Sequence, residues 1–216
     1  MVSYFSLLKQ DIRFIEGLNA CMNCGVCTAI CPAAAYFDYD PRKICQDIQT
    51  KDNSTIESIL KSDDIWMCGQ CLSCKTRCPR DNTPGYIIQV LRKVSQKTGL
   101  FVHSSLGRQQ LQIKRTIGHS ILETGYCVHP KLVKPELHPE QGPVWEWVLE
   151  NGEELYKQCG SNYYKPGEGG VRKIDENTLS ELHSIFEETG AMELFDDIEK
   201  GMEKHHQSKA KHAERE

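Results

Sequence analysis

Apolar positions in the first hundred residues recur at intervals of three and four, the period of a helix with one face turned inward. Phe5, Leu8, Ile12 and Ile15 fall on one side of a predicted N-terminal helix. Ser54-Thr55-Ile56-Glu57 has the form of a capping box, opening a short helix that carries Ile56, Ile59 and Leu60 on one side. Thr83 stands at a cap position with Pro84 in the first turn behind it. Ile87, Val90, Leu91 and Val94 then form a stripe that Gly99 ends. A further helix is expected from about Ser105 to Thr124, with Gly125 just beyond it. No stretch alternates at period two for long, so the expectation is a mainly α chain whose stripes are core.

After Gly125 the pattern loosens. His129-Pro130, Lys134-Pro135, His138-Pro139 and Gly142-Pro143 interrupt any regular element. Helices are expected at Val144 to Tyr156 and Leu179 to Glu199, separated by the turn-rich SNYYKPGEGG. The closing EKHHQSKAKHAERE has charge without apolar anchors and reads as disordered, its paired histidines solvated. Three regions follow: a first domain over 1–125, an extended and partly helical arm for subunit docking over 126–203, and a tail over 204–216.

Composition changes the picture in two ways. Apolar residues make up 39% and aromatics 8% of the 216, and no apolar run approaches the roughly 20 residues a bilayer-spanning helix needs. No secretory signal is visible at the start, so the expected compartment is the cytoplasm, where eleven cysteines do not form a disulfide framework. Charge is also polarised. From Gln89 to Lys134 eight bases face one acid, Glu123, and from Glu136 to Lys200 sixteen acids face five bases. Such a distribution suits two solvated surfaces or two faces for different protein partners. The basic stretch lacks the interleaved aromatics of a nucleic-acid platform.

The cysteines carry the chemistry. CMNCGVCTAICP, from Cys21 to Pro32, returns as CGQCLSCKTRCP, from Cys68 to Pro79. Structural zinc is usually held by two separated pairs of ligands, whereas three cysteines in one C-x2-C-x2-C loop, then a fourth followed by proline, suit a 4Fe-4S cube. In two-cluster ferredoxins the fourth thiolate goes to the other cube. On that rule one 4Fe-4S cluster is assigned to Cys21, Cys24, Cys27 and Cys78, and a second to Cys68, Cys71, Cys74 and Cys31. Lys75, Arg77 and Arg80 stand beside the second phrase and either favour its reduced, more negative cluster or serve solubility. Cys45, Cys127 and Cys159 are isolated and receive no role.

Two such phrases, with thirty-six residues that carry a helix between Cys31 and Cys68 and an N-terminal helix ahead of them, resemble the C-subunit family of heterodisulfide reductases (HdrC-like proteins) over about Phe5 to Leu122. GHSILETGYCVHP, from Gly118, sits where such proteins leave the cluster domain. The resemblance implies an α-helical ferredoxin domain, similar to that of succinate dehydrogenase and fumarate reductase iron-sulfur subunits. It implies a non-catalytic electron-transfer role between a heterodisulfide reductase A-like flavin and iron-sulfur subunit and a B-like subunit with CCG sequences. Electrons would end on a heterodisulfide or, in the related complexes of sulfur oxidisers, leave a sulfur substrate; the acidic extension inclines the expectation to the second.

Absences sharpen this. The chain has no CCG sequence, no plant-type C-x4-C-x2-C, and in GEGGVR Arg172 stands where the dinucleotide fingerprint needs its last glycine. No nucleophile and base can be paired. The rivals are an iron-sulfur subunit of a membrane-bound quinone-linked dehydrogenase, attached peripherally, and a nucleic-acid enzyme with structural clusters.

Overall fold

The computed structural model describes residues 3–128, 133–137 and 139–213. The breaks expected at His129-Pro130 and at His138 lie outside these residues, as does the end of the expected tail, 214–216. The chain divides into two compact units, Met1–Gln109 with Asp196–Glu216, and Gln110–Phe195. The described residues are helical without strands, apart from one isolated bridge between Ser161 and Gly170.

The first unit opens with two short helices, α1 (Tyr4–Leu8) and α2 (Ile12–Gly17), where the sequence predicted one. Asp11 breaks the run. Its carboxylate accepts from the Arg13 amide at 3.1 Å and restarts the helix in a new phase. Leu8, Phe14 and Gly17 are therefore buried, while Ile12 and Ile15 are 60% and 55% exposed.

After α3 (Val26–Ala29), the helix α4 (Pro41–Gln49) begins behind an Asp40 cap with proline in its first turn. It buries Ile44, Cys45 and Ile48. The next helix, α5 (Asn53–Lys61), starts earlier than the capping box implied, because Asp52 rather than Ser54 accepts from the Thr55 amide, at 2.7 Å. Ile56, Ile59 and Leu60 are buried as the stripe predicted. A single turn, α6 (Asp64–Met67), leads into the second cysteine phrase.

The centre of this unit is α7 (Pro84–Lys97), with Ile87, Ile88, Val90, Leu91 and Val94 buried among residues of α1, α2, α4 and α5. The Thr83 amide donates to the Gly17 carbonyl at 2.8 Å, joining the end of α2 to the start of α7. Asp63 accepts from Ser105 Oγ at 3.0 Å and from the Leu106 amide at 3.2 Å, which fixes the start of α8 (Ser105–Ile113).

The helix predicted from Ser105 to Thr124 passes through a π turn at Lys114–Gly118 and continues as α9 (His119–Thr124), which Gly125 ends with φ 77°. Within the second unit, Gly118 lies against the Phe195 ring and Gly125 against Ile174 and Leu179. Here too is α10 (Val144–Gln158), where Gly152 leaves room for the Tyr163 hydroxyl. The helix expected over Leu179 to Glu199 is two: α11 (Glu176–Glu188) and α12 (Ala191–Ala213), separated at Gly190 with φ 75°.

The expected disordered tail from Lys204 is a correction, since α12 runs through it to Ala213. Ile198 and Met202 are buried, 3% and 7% exposed, with Gly201 against Phe101. The Glu, Lys, Gln and Ala residues that follow are good helix formers and extend an anchored helix.

Candidate metal centre

The two cysteine phrases fold alike. Asn23 has φ 61° and Gly25 φ 78°; at the equivalent positions of the second phrase Gln70 has φ 54° and Leu72 φ 57°. Left-handed residues that alternate with ordinary ones curl a loop so that its amides face inward, a concavity suited to an anion and recurrent at iron-sulfur sites. The Gln70 amide already donates to Cys68 Sγ at 3.4 Å. That a leucine adopts this conformation at 72 marks a loop held by its surroundings.

Each phrase borders a cavity of its own. One is lined by Cys21, Cys24, Cys27 and Cys78 together with Cys45, Arg42 and Arg80. The other is lined by Cys31, Cys68, Cys71 and Cys74 together with Cys27 and Tyr39. Each cavity thus has three cysteines of one phrase and the fourth of the other in its wall. Cys27 and Pro84 line both. The thiols stand around the wall of a space, which suits a multi-iron cube.

The elements set this up by local means. Asp40, the cap of α4, accepts from Thr28 Oγ1 at 2.5 Å and pairs with Arg42 at 2.6 Å. Gln49, at the other end of α4, takes the Cys21 amide at 3.0 Å. Gly85 brings α7 against the second loop, where an added Cβ would sit 2.8 Å from Leu72 Cδ2. The positive end of α7 therefore lies at both cavities, which favours negatively charged contents.

Thiol acidities report how dry the walls are. Burial pushes the Cys27 thiol up to about 11, and burial also raises Cys74. The Ser73 hydroxyl beside exposed Cys71 lowers that thiol instead. A thiolate at Cys27 needs neighbouring positive charge, which iron supplies.

Three residues escaped the sequence reading or were misplaced by it. Arg80 lines the Cys21 cavity and donates to the Ala20 carbonyl at 3.4 Å, so it stands on the first site rather than the second phrase's own. Tyr39 is 4% exposed, and its hydroxyl finds no oxygen or nitrogen acceptor among the described residues and faces the Cys68 thiol. Burial raises this phenol far above its usual range, with Cys68 and Cys31 adding to the effect. Arg92, on α7, donates to the carbonyls of Ile65 at 2.6 Å, Trp66 at 2.9 Å and Cys68 at 2.7 Å, and lies over the Trp66 ring at 5.5 Å. Neither Tyr39 nor Arg92 belongs to a motif. Cys45, given no role, is buried in the wall of the first cavity, whereas Cys127 and Cys159 are exposed in the other unit.

Comparison with known proteins bears on the same residues. The family model of the 4Fe-4S dicluster domain matches residues 17–82, spanning both phrases. The C subunit of ferredoxin:CoB-CoM heterodisulfide reductase from Methanosarcina acetivorans is 34% identical over 187 residues, covering 86% of this chain and 68% of the relative. The C subunit of the ferredoxin/F420H2-dependent CoB-CoM heterodisulfide reductase of the same organism is 31% identical over 144 residues, 65% of this chain and 81% of the relative. The C2 iron-sulfur subunit of CoB-CoM heterodisulfide reductase from Methanocaldococcus jannaschii is 36% identical over 93 residues, 43% of this chain and 47% of the relative. Taken with the doubled phrase and its helical setting, these matches show that the chain belongs to the C-subunit family of heterodisulfide reductases, as an iron-sulfur electron-transfer protein with two 4Fe-4S clusters.

Proposed function

We propose that the chain relays single electrons between an A-like flavin and iron-sulfur subunit and a B-like CCG subunit, with Cys21, Cys24, Cys27 and Cys78 holding one cluster and Cys68, Cys71, Cys74 and Cys31 the other. When bound, each cluster supplies a centre that accepts and returns one electron. The observation that carries the reading is the shared wall, with Cys27 and Pro84 lining both sites.

The protein's part is to hold and insulate. The curled loops turn amides toward the sulfurs, α7 presents its positive end, and the Ile87, Ile88 and Leu91 core keeps the packing rigid. Exposed Met22, Tyr36 and Phe37 leave apolar surface beside the first phrase for a partner. The relatives' names specify ferredoxin and a CoB-CoM heterodisulfide, which supports electron flow toward a disulfide rather than from a sulfur substrate. Among the described residues no helix is long and apolar enough to cross a membrane, so a quinone-linked assembly would need a membrane-spanning partner.

The test has two parts. Native complex purified without oxygen should contain an A-like and a CCG-bearing subunit, and this chain should carry about eight irons. Cys78→Ala should then disturb the centre of Cys21, Cys24 and Cys27, and Cys31→Ala that of Cys68, Cys71 and Cys74. Loss in the opposite pairing overturns the ligand sets, and a complex without either partner overturns the relay.

A further inference from the structure

Resting on the ligand sets proposed above, we infer that Tyr39 and Arg92 are positioning residues that make the centre of Cys31, Cys68, Cys71 and Cys74 the more easily reduced of the two, so that an electron entering at the Cys21 side passes downhill to the Cys68 side.

Tyr39 aims a buried donor at sulfur. A buried hydroxyl that goes unpaired is costly, and native structures rarely keep one so. The Tyr39 hydroxyl finds no oxygen or nitrogen acceptor among the described residues and faces the Cys68 thiol, and the ring lines the cavity bounded by Cys31, Cys68, Cys71 and Cys74. The groups that act on it electrically are thiols, Cys68 first. An O–H directed at sulfur becomes a better hydrogen bond as negative charge on that sulfur grows. It therefore favours the reduced state over the oxidised one.

Arg92 adds a fixed charge on the same side. Its guanidinium is half-buried under Trp66 and spends its donors on three carbonyls, the last belonging to Cys68 itself. No carboxylate pairs with it among the described residues. A positive charge held in a half-buried place beside a ligand acts more strongly on the electron that arrives there than one in open water does. The first cavity differs. Arg42 is already paired with Asp40 at 2.6 Å, and Arg80 is exposed to solvent. Compensation and screening weaken both.

The step itself is simple to balance. With both clusters bound, one electron would leave the centre held by Cys21, Cys24, Cys27 and Cys78, oxidising it, and would reduce the centre held by Cys68, Cys71, Cys74 and Cys31. The phenol keeps its proton and the guanidinium its charge, so no proton moves.

The full chain, purified without oxygen with both clusters, is titrated potentiometrically while electron paramagnetic resonance follows each centre. The signal perturbed by Cys71→Ser identifies the Cys68-side centre. In Tyr39→Phe, which removes one oxygen and keeps the ring, the exchange equilibrium between the two centres should fall about tenfold, or 59 mV for a one-electron couple. Iron content should stay the same. An exchangeable deuteron coupled to the reduced Cys68-side centre should disappear with it. Arg92→Gln should move the same midpoint in the same direction. An unchanged midpoint difference in Tyr39→Phe, an equal shift of both centres, or loss of iron from the Cys68 side would overturn the inference. Wild-type protein lacking two reducible centres would instead overturn the relay on which it rests.

Discussion

Asp11 ties the helix that leads into the first cysteine phrase to the helix that follows the second, and its removal has a calculable cost. One carboxylate caps α2 through the Arg13 amide at 3.1 Å, pairs with the Arg13 guanidinium at 2.8 Å, and reaches Lys93 on α7 at 2.9 Å. Its side chain is 10% exposed, while those of Arg13 and Lys93 are 38% and 42% exposed, so the pairs are screened from the cation side. Asp11→Asn keeps a competent cap and deletes only the charge. Two half-screened pairs then amount to about 1 kcal/mol together. Asp11→Ala also loses the cap, adding about 1 kcal/mol.

With a urea dependence of about 2 kcal/mol per molar, the half-loss point of cluster absorbance should fall by about 0.5 M for Asn and about 1 M for Ala. The pH dependence has a definite sign. The Arg13 side chain holds the Asp11 carboxyl well below the usual carboxylate range, against burial, with Lys93 helping. A depressed folded value means that the stabilisation is complete above the usual range and is lost as pH falls through it toward the folded value. The wild-type to Asn difference should thus be constant at neutral pH and close in acid. A difference below about 0.2 M at neutral pH, or one that persists unchanged in acid, would refute the account of Asp11 as an ionic tie between α2 and α7.

Two further substitutions probe the walls of the sites. Cys45 is 2% exposed in the lining of the first cavity but outside both phrases; Cys45→Ala should lower stability by about 1 kcal/mol, seen as earlier bleaching in urea, while iron stays at about eight per chain. A drop to about half that iron would make Cys45 a ligand. At Gly107 an added Cβ would stand 2.4 Å from the Phe101 carbonyl oxygen and 3.0 Å from Trp66 Nε1. Gly107→Ala should cost about 1 to 3 kcal/mol, and unaltered urea resistance would show that this backbone yields more readily than its packing suggests.

What could be read in the sequence, and what could not, divides by the distance over which each feature is encoded. The doubled cysteine phrase of a 4Fe-4S dicluster domain was legible because three thiols of each phrase fall within seven consecutive residues, so chemistry and spacing coincide. The stripe of Ile87, Val90, Leu91 and Val94 was legible for the same reason, since its period lies within one helix. Errors began where one polar residue reset a local phase. Asp11 split the first helix and turned Ile12 and Ile15 outward, and Asp52 displaced the expected cap at Ser54. Arg80 was misplaced because its phrase ends at the other phrase's cavity, which spacing alone does not reveal. The tail from Lys204 read as unanchored because the anchors, Ile198 and Met202, lie upstream of it and are buried only through the fold.

Tyr39 and Arg92 were invisible for a deeper reason. Arg92 meets Cys68 across 24 residues, and no local pattern requires that meeting. Three of the four proposed ligands of each cluster sit near each other in the chain to wrap it, but groups that act on its potential need only be near it in space. On the inference drawn above, conserving the cysteine phrases while changing the residues at 39 and 92 would therefore keep two clusters and shift the electron equilibrium between them.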